Sequence, residues 1–122
     1  METLSVVLQI IVALGLLNVW LLRANKQTNY RGAKAVNIKE EFQVYGLPPW
    51  AWIIVGSLKV LAAIFLIVGA FYPGVRVIPA GLLVILMVGA VLCHFKVGDP
   101  IKKSVPAIAM LAMNAAIVLI NA

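Results

Sequence analysis

Four long apolar runs divide the chain, each broken by only a few polar positions. The first is Leu4–Leu22, interrupted by Ser5, Gln9 and Asn18, and the second is Trp50–Tyr72, interrupted by Ser57 and Lys59. The third extends from about Val77 to Phe95. The fourth covers Val105–Ile120, with Asn114 near its middle and Ile101–Ser104 available to lengthen it. A spanning helix needs about 20 apolar residues to cross ~30 Å of hydrocarbon, and it must satisfy its backbone polar groups internally. The pattern therefore predicts membrane helices over about 4–22, 50–72, 77–95 and 104–121, in a single membrane domain covering 1–122. Only a few residues around Pro73-Gly74 join the second and third helices, so these must be antiparallel neighbours. The expected fold is all-α and integral to the membrane: an antiparallel bundle of four transmembrane helices. The first run should persist as a helix, because Met1-Glu2 supplies no basic leader and no small-x-small cleavage site precedes Arg23.

Composition agrees. Hydrophobic residues make up 64% of the 122 and charged residues 11%, against about 45–50% and about 25% in soluble domains. That excludes a soluble globular enzyme, a disordered tail and a fibrous repeat. The net charge of +6 is explained by its placement. Arg23, Lys26, Arg31, Lys34 and Lys39 lie between the first and second runs, and Lys96, Lys102 and Lys103 between the third and fourth. The second–third connection holds Arg76 alone. By the positive-inside bias, connections 23–49 and 96–103 are expected to be cytoplasmic and both termini non-cytoplasmic. A multi-pass protein of the cell inner membrane, bound to lipid and not to nucleic acid, is the expected setting. Trp20, Trp50 and Trp52 would anchor the basic side, and Phe71 and Tyr72 the other.

The first connection carries structure of its own. Asn37 and Glu40 have capping-box spacing, Gly46 stands where a helix C-cap belongs, and Pro48-Pro49 forbids continuation. Ile38, Phe42 and Tyr45 share one face at i, i+4 and i+7. A short amphipathic interfacial helix is predicted over about 38–45, either as a lipid-surface anchor or as a lid over the mouth of the bundle. Elsewhere, Gly81, Gly89 and Cys93, and Ala112 with Ala116, have spacings that let helices approach closely, which serves intrachain packing and homo-oligomer contacts alike. Pro79 and Pro106 are placed in the first turns of the third and fourth helices, where a missing N–H is tolerated.

Polar residues at membrane depth supply the candidate chemistry. Lys59 lies nine residues beyond Trp50, about 13 Å along the axis, where a lysine costs on the order of 3 kcal/mol. Either it snorkels to the interface, or its ammonium faces the interior within reach of an anion or carbonyl. His94, ending the third helix, is either stabilised by the helix dipole or part of a polar mouth with Asn18 and Lys59. Glu40, Glu41 and Asp99 would hang above that mouth. Lys59, His94, Glu40 and Glu41 are the candidate catalytic residues; Asn18, Asn114, Tyr45 and Asp99 are candidate ligand contacts. Asn114 also suits an interhelical hydrogen bond. Several chemistries lack their residues. One His and one Cys make a zinc site improbable, so no metal is expected. A single His cannot give bis-His haem ligation, and no phosphate-binding glycine motif exists.

Three segments resemble the DoxX-like family: Glu40-Glu41-Phe42 followed by Tyr45-Gly46-Leu47-Pro48-Pro49-Trp50; Gly56 through Ala63, with Lys59 at the polar position; and Gly89-Ala90 with His94 through Pro100. Their order and the four-helix frame extend the resemblance over about residues 1–120. The resemblance implies a four-helix membrane protein linked by name to the small subunit of a thiosulfate:quinone oxidoreductase, with Lys59 and His94 at the family's polar positions. The expected function is a small enzyme or redox-complex subunit handling a lipophilic molecule such as a quinone at the cytoplasmic mouth, alongside a soluble or membrane redox partner. The alternative is a non-enzymatic protein that binds a hydrophobic ligand or anchors a soluble partner. Transport ranks last, since no carboxylate falls inside the four runs.

Overall fold

A computed structural model describes residues 1–23, 30–48 and 50–122. Lys26, counted among the connection's cations, and Pro49 of the helix stop lie outside the described residues. Among the described residues five α-helices follow one another: α1 (Glu2–Leu17), α2 (Ile38–Val44), α3 (Ala51–Gly69), α4 (Val77–Lys96) and α5 (Ile101–Asn121). Among the described residues there is no strand, and four helices are long and apolar enough to cross a membrane. The protein is a multi-pass integral membrane protein, and lipid surrounds these helices.

The four long helices form a ring in the order α1, α3, α4, α5, with α5 closing back on α1. Their core is built from Val12, Ala13 and Leu16 of α1, Ala62, Ala63 and Leu66 of α3, Ala80, Leu83 and Met87 of α4, and Ile117 of α5. Four of these ten are alanines. Small side chains let backbones approach where lipid provides no hydrophobic drive of its own. Glycine does the same at two places. A Cβ on Gly15 would stand 2.5 Å from Met110 Cε, and one on Gly56 would stand 2.6 Å from the Trp20 ring. Gly81 and Gly89 are different: no atom lies within 4 Å of where their Cβ would be, so neither serves helix packing within the chain.

Beyond Leu17 the first helix widens into a π-type turn, Asn18–Leu22, closed by the Arg23 N–H donating to the Asn18 carbonyl at 2.9 Å. Such widened turns rotate the residues they contain, and here Trp20 lies against Gly56 of α3. The short α2 is capped as its sequence specifies. The Glu40 N–H donates to Asn37 Oδ1 at 2.8 Å, and Gly46 adopts φ +77° with the Leu47 N–H reaching the Phe42 carbonyl. Pro106 departs from expectation. Helix α5 begins at Ile101, so Pro106 lies inside it and not in its first turn; the preceding loop is shorter than the apolar run implied.

The end opposite the basic connections is closed by a polar network that the sequence did not suggest. Arg76 is fully buried. Its Nε donates to the Gly69 carbonyl at 2.6 Å, and Nη1 and Nη2 donate to the two oxygens of Glu2 at 2.7 Å each. Asn121 Nδ2 donates to Ser5 Oγ, Ser5 to Gln9 Oε1, and Gln9 Nε2 to the Leu66 carbonyl. One bidentate guanidinium and three short polar side chains thus tie α1, α3, α4 and α5 together.

Candidate functional site

At the basic end the helices diverge around a cavity of about 650 Å³. Its walls are largely apolar, from Leu16 and Trp20 on the first helix to Met110 on α5, with Phe42 of α2 above. Lys59 projects from α3 into this space. It is 8% exposed, and its closest partner among the described residues is an aromatic face: Nζ stands 5.1 Å from the centre of the Trp20 ring. It forms no hydrogen bond or ion pair among those residues, and the Glu41 carboxylate acts on it only at longer range. The snorkelling alternative is therefore not what the geometry presents. Trp20, expected as an interfacial anchor, is instead the cation's platform. Gly56 makes this possible, because any side chain there would occupy the ring's place.

His94 is placed by the way α4 ends. Gly98 takes φ +73°, and the reversal lets the Asp99 N–H donate to the His94 carbonyl at 3.0 Å. The same turn folds the Asp99 carboxylate back so that Oδ2 lies 2.7 Å from His94 Nδ1. A proton on Nδ1 satisfies that contact and leaves Nε2 as an acceptor, 3.4 Å from the Tyr45 hydroxyl. Asp99 is spoken for twice more. Oδ1 accepts the Ala33 N–H at 2.9 Å, and Lys103 Nζ, 3.8 Å away, donates to the Ala33 carbonyl at 2.5 Å. Burial pushes the Asp99 carboxyl up, but the His94 and Ala33 hydrogen bonds and the Lys103 charge outweigh it and hold it below its ordinary value.

The remaining polar residues form a second chain across the mouth. The Tyr45 hydroxyl donates to Glu41 Oε1 at 2.8 Å, and Arg31 Nη1 donates to Glu41 Oε2 at 3.2 Å. Arg31 Nη2 holds the Arg23 carbonyl at 2.7 Å, and Lys96 Nζ the Tyr45 carbonyl at 2.7 Å. Tyr45 meets His94 ring edge to face, centroids 5.7 Å apart. Burial and the Glu41 charge push the Tyr45 phenol well above its usual range, so it keeps its proton and stays a donor.

Of the eight expected site residues, Lys59, His94, Glu41, Tyr45 and Asn18 border the cavity, with Asp99 behind His94. Glu40 is turned away: its Oε2 accepts from Asn37 Nδ2 at 3.3 Å, completing the cap, and it does not line the cavity. Asn114 is buried in α5, donates to the Met110 carbonyl of its own helix at 2.8 Å, and leaves Oδ1 without a partner among the described residues. Arg31, Trp20 and Phe42 also line the cavity and were not expected as site residues. Their roles depend on contacts between segments far apart in the chain. Among the described residues no group of three His, Cys, Asp or Glu is placed to hold a metal. The sequence profile of the DoxX-like family matches residues 7–118. No curated protein and no solved structure matches the chain.

Proposed function

The chain belongs to the DoxX-like family, and we propose that it binds a lipophilic molecule, such as a quinone, by its polar head in the cavity at the basic end. The observation that carries this reading is the Lys59 ammonium, buried against the Trp20 ring with no hydrogen-bonding acceptor among the described residues. Lysine at this depth costs on the order of 3 kcal/mol, and a desolvated cation–π contact returns about 2 kcal/mol. An oxygen-bearing head in the cavity supplies the missing acceptor. Lys59 then provides positive charge to a head-group oxygen. His94, oriented by Asp99, exchanges a proton at Nε2, the pairing that favours negative charge developing on oxygen. On this reading the protein is a small enzyme or a redox-complex subunit. The closed Glu2–Arg76 end favours a one-ended binding site over a transport path. The cluster of lysines and arginines around the mouth supports a cytoplasmic orientation for it.

The test is purification in mild detergent with native lipid, followed by solvent extraction and mass spectrometry. One lipophile per chain is expected, lost from Lys59→Met and from His94→Ala while helical content is unchanged. An extract identical in wild type and both variants overturns the reading. A soluble protein co-purifying in place of any small molecule favours the anchoring role.

A further inference from the structure

The geometry points to a lateral opening in the wall that α4 forms, through which the ligand's hydrocarbon tail lies out into the bilayer while its head meets Lys59. This rests on the cavity reading above and specifies the ligand as a single-tailed amphiphile that arrives from the membrane. Two sides of the cavity differ. Toward the basic end it is crossed by α2, whose Phe42 packs edge to face on Trp20, by the Arg31–Glu41 pair and by the Asp99–Ala33–Lys103 clasp. Toward α4 the wall is breached. Leu86, Ala90 and Cys93 line the cavity from within. Gly89 and Ile85 line it too, yet both are exposed, Ile85 at 69%.

Depth decides what lies outside that breach. Gly89 is seven residues before the end of α4 and Lys59 eight residues after the start of α3. Both therefore stand about 10–12 Å along their helices from the basic end, and Ile85 about 16 Å. The gap is level with the Lys59 backbone and opens at hydrocarbon depth. Exposed Val88 and Leu92 flank it. Gly89 keeps it wide, since nothing lies within 4 Å of its Cβ position. An acceptor head suits the cation inside, and only an apolar tail suits the apolar rim outside.

The test uses protein with Trp50→Phe and Trp52→Phe, leaving Trp20 as the sole tryptophan, in lipid nanodiscs. Phosphatidylcholine brominated at mid-chain should quench Trp20, and Gly89→Phe should lower that quenching at least twofold. Gly81→Phe, also in open space but away from the cavity, should leave it unchanged. A dimethoxy-methyl-benzoquinone with a decyl tail should bind at least tenfold more weakly to Gly89→Phe, and the same ring without a tail within twofold of wild type. Gly89→Leu, with circular dichroism, separates blockage from misfolding. Equal bromine quenching in wild type and Gly89→Phe overturns the opening, as does unchanged binding of the tailed ring. If those arms fail while Lys59→Met still abolishes quinone binding, the cavity reading survives without the opening. If neither quinone binds but bromine quenching responds to Gly89→Phe, the opening stands and the quinone reading falls.

Discussion

Replacing Gly56 by alanine drives a methyl group into the six-membered ring of Trp20. The new Cβ would lie 2.6 and 2.7 Å from two ring carbons, so the ring must retreat by about 1 Å to reach ordinary contact. Phe42 stands behind it, centroid to centroid 6.0 Å, and Lys59 lies over its face, so retreat disturbs both. Two terms oppose each other. Alanine gains about 1 kcal/mol over glycine in a helix interior, and overpacking a filled site costs about 1–3 kcal/mol. Gly56→Ala should therefore destabilise by about 1 kcal/mol. Remove the ring and only the first term remains: in a Trp20→Ala background the same change should stabilise by about 1 kcal/mol, a coupling of about 2 kcal/mol. Gly81→Ala, with open space at its Cβ, should stabilise by about 0.5–1 kcal/mol on its own. Reversible unfolding in mixed detergent–dodecyl sulfate micelles, followed by circular dichroism, measures all four. A stabilising Gly56→Ala in the wild-type background would falsify the packing argument, and so would additivity of the two changes.

Lys59→Met should stabilise the unliganded fold by about 1–3 kcal/mol and so raise its unfolding midpoint, because it removes a buried cation that has no acceptor among the described residues; a lowered midpoint in the same micelles would show the ammonium is already satisfied. Asp99 sets an acid limit. Its carboxyl is held low in the folded state, so its contribution is complete above the ordinary carboxylate range and lost as pH falls through the folded value. Midpoints measured from pH 7 to pH 3 should drop at the acid end in wild type, and Asp99→Asn should lie lower at neutral pH with a flatter acid limb. Arg76→Met should lower the midpoint more than Glu2→Gln does, since Glu2→Gln leaves the guanidinium its bonds to Gly69 and Asn121. Equal losses in thermal unfolding would mean the carboxylate alone holds that end.

Much of the architecture was written locally. The four apolar runs, the Asn37 cap and the Gly46 stop each depend on neighbours in sequence, and each is readable there. Lys59 and His94 stood out for a similar reason: a charged or titratable residue in an apolar run invites a question that its neighbours cannot answer. Glu40 and Glu41 both read as site candidates, although the capping box ties Glu40 to the Asn37 end and leaves Glu41 for Tyr45 and Arg31. What could not be read were pairings across the bundle. Arg76 looked like a lone loop cation, and Glu2 like a flanking acid, yet 74 positions separate two halves of one ion pair. Trp20 read as an interface anchor because only its packing on Gly56 turns it toward Lys59. Pro106 misled because the run of apolar residues starts after the helix does.

The clasp on Ala33 has an unusual tolerance built into it. Asp99 and Lys103 grip the main-chain N–H and C=O of that residue, and its methyl group takes no part. Ala33 holds φ +47°, a conformation that glycine or asparagine adopts with less strain. Sequence drift at position 33 is thus filtered by backbone shape and not by side-chain identity. A change to valine there would unfasten the cover while leaving every gripping residue in place.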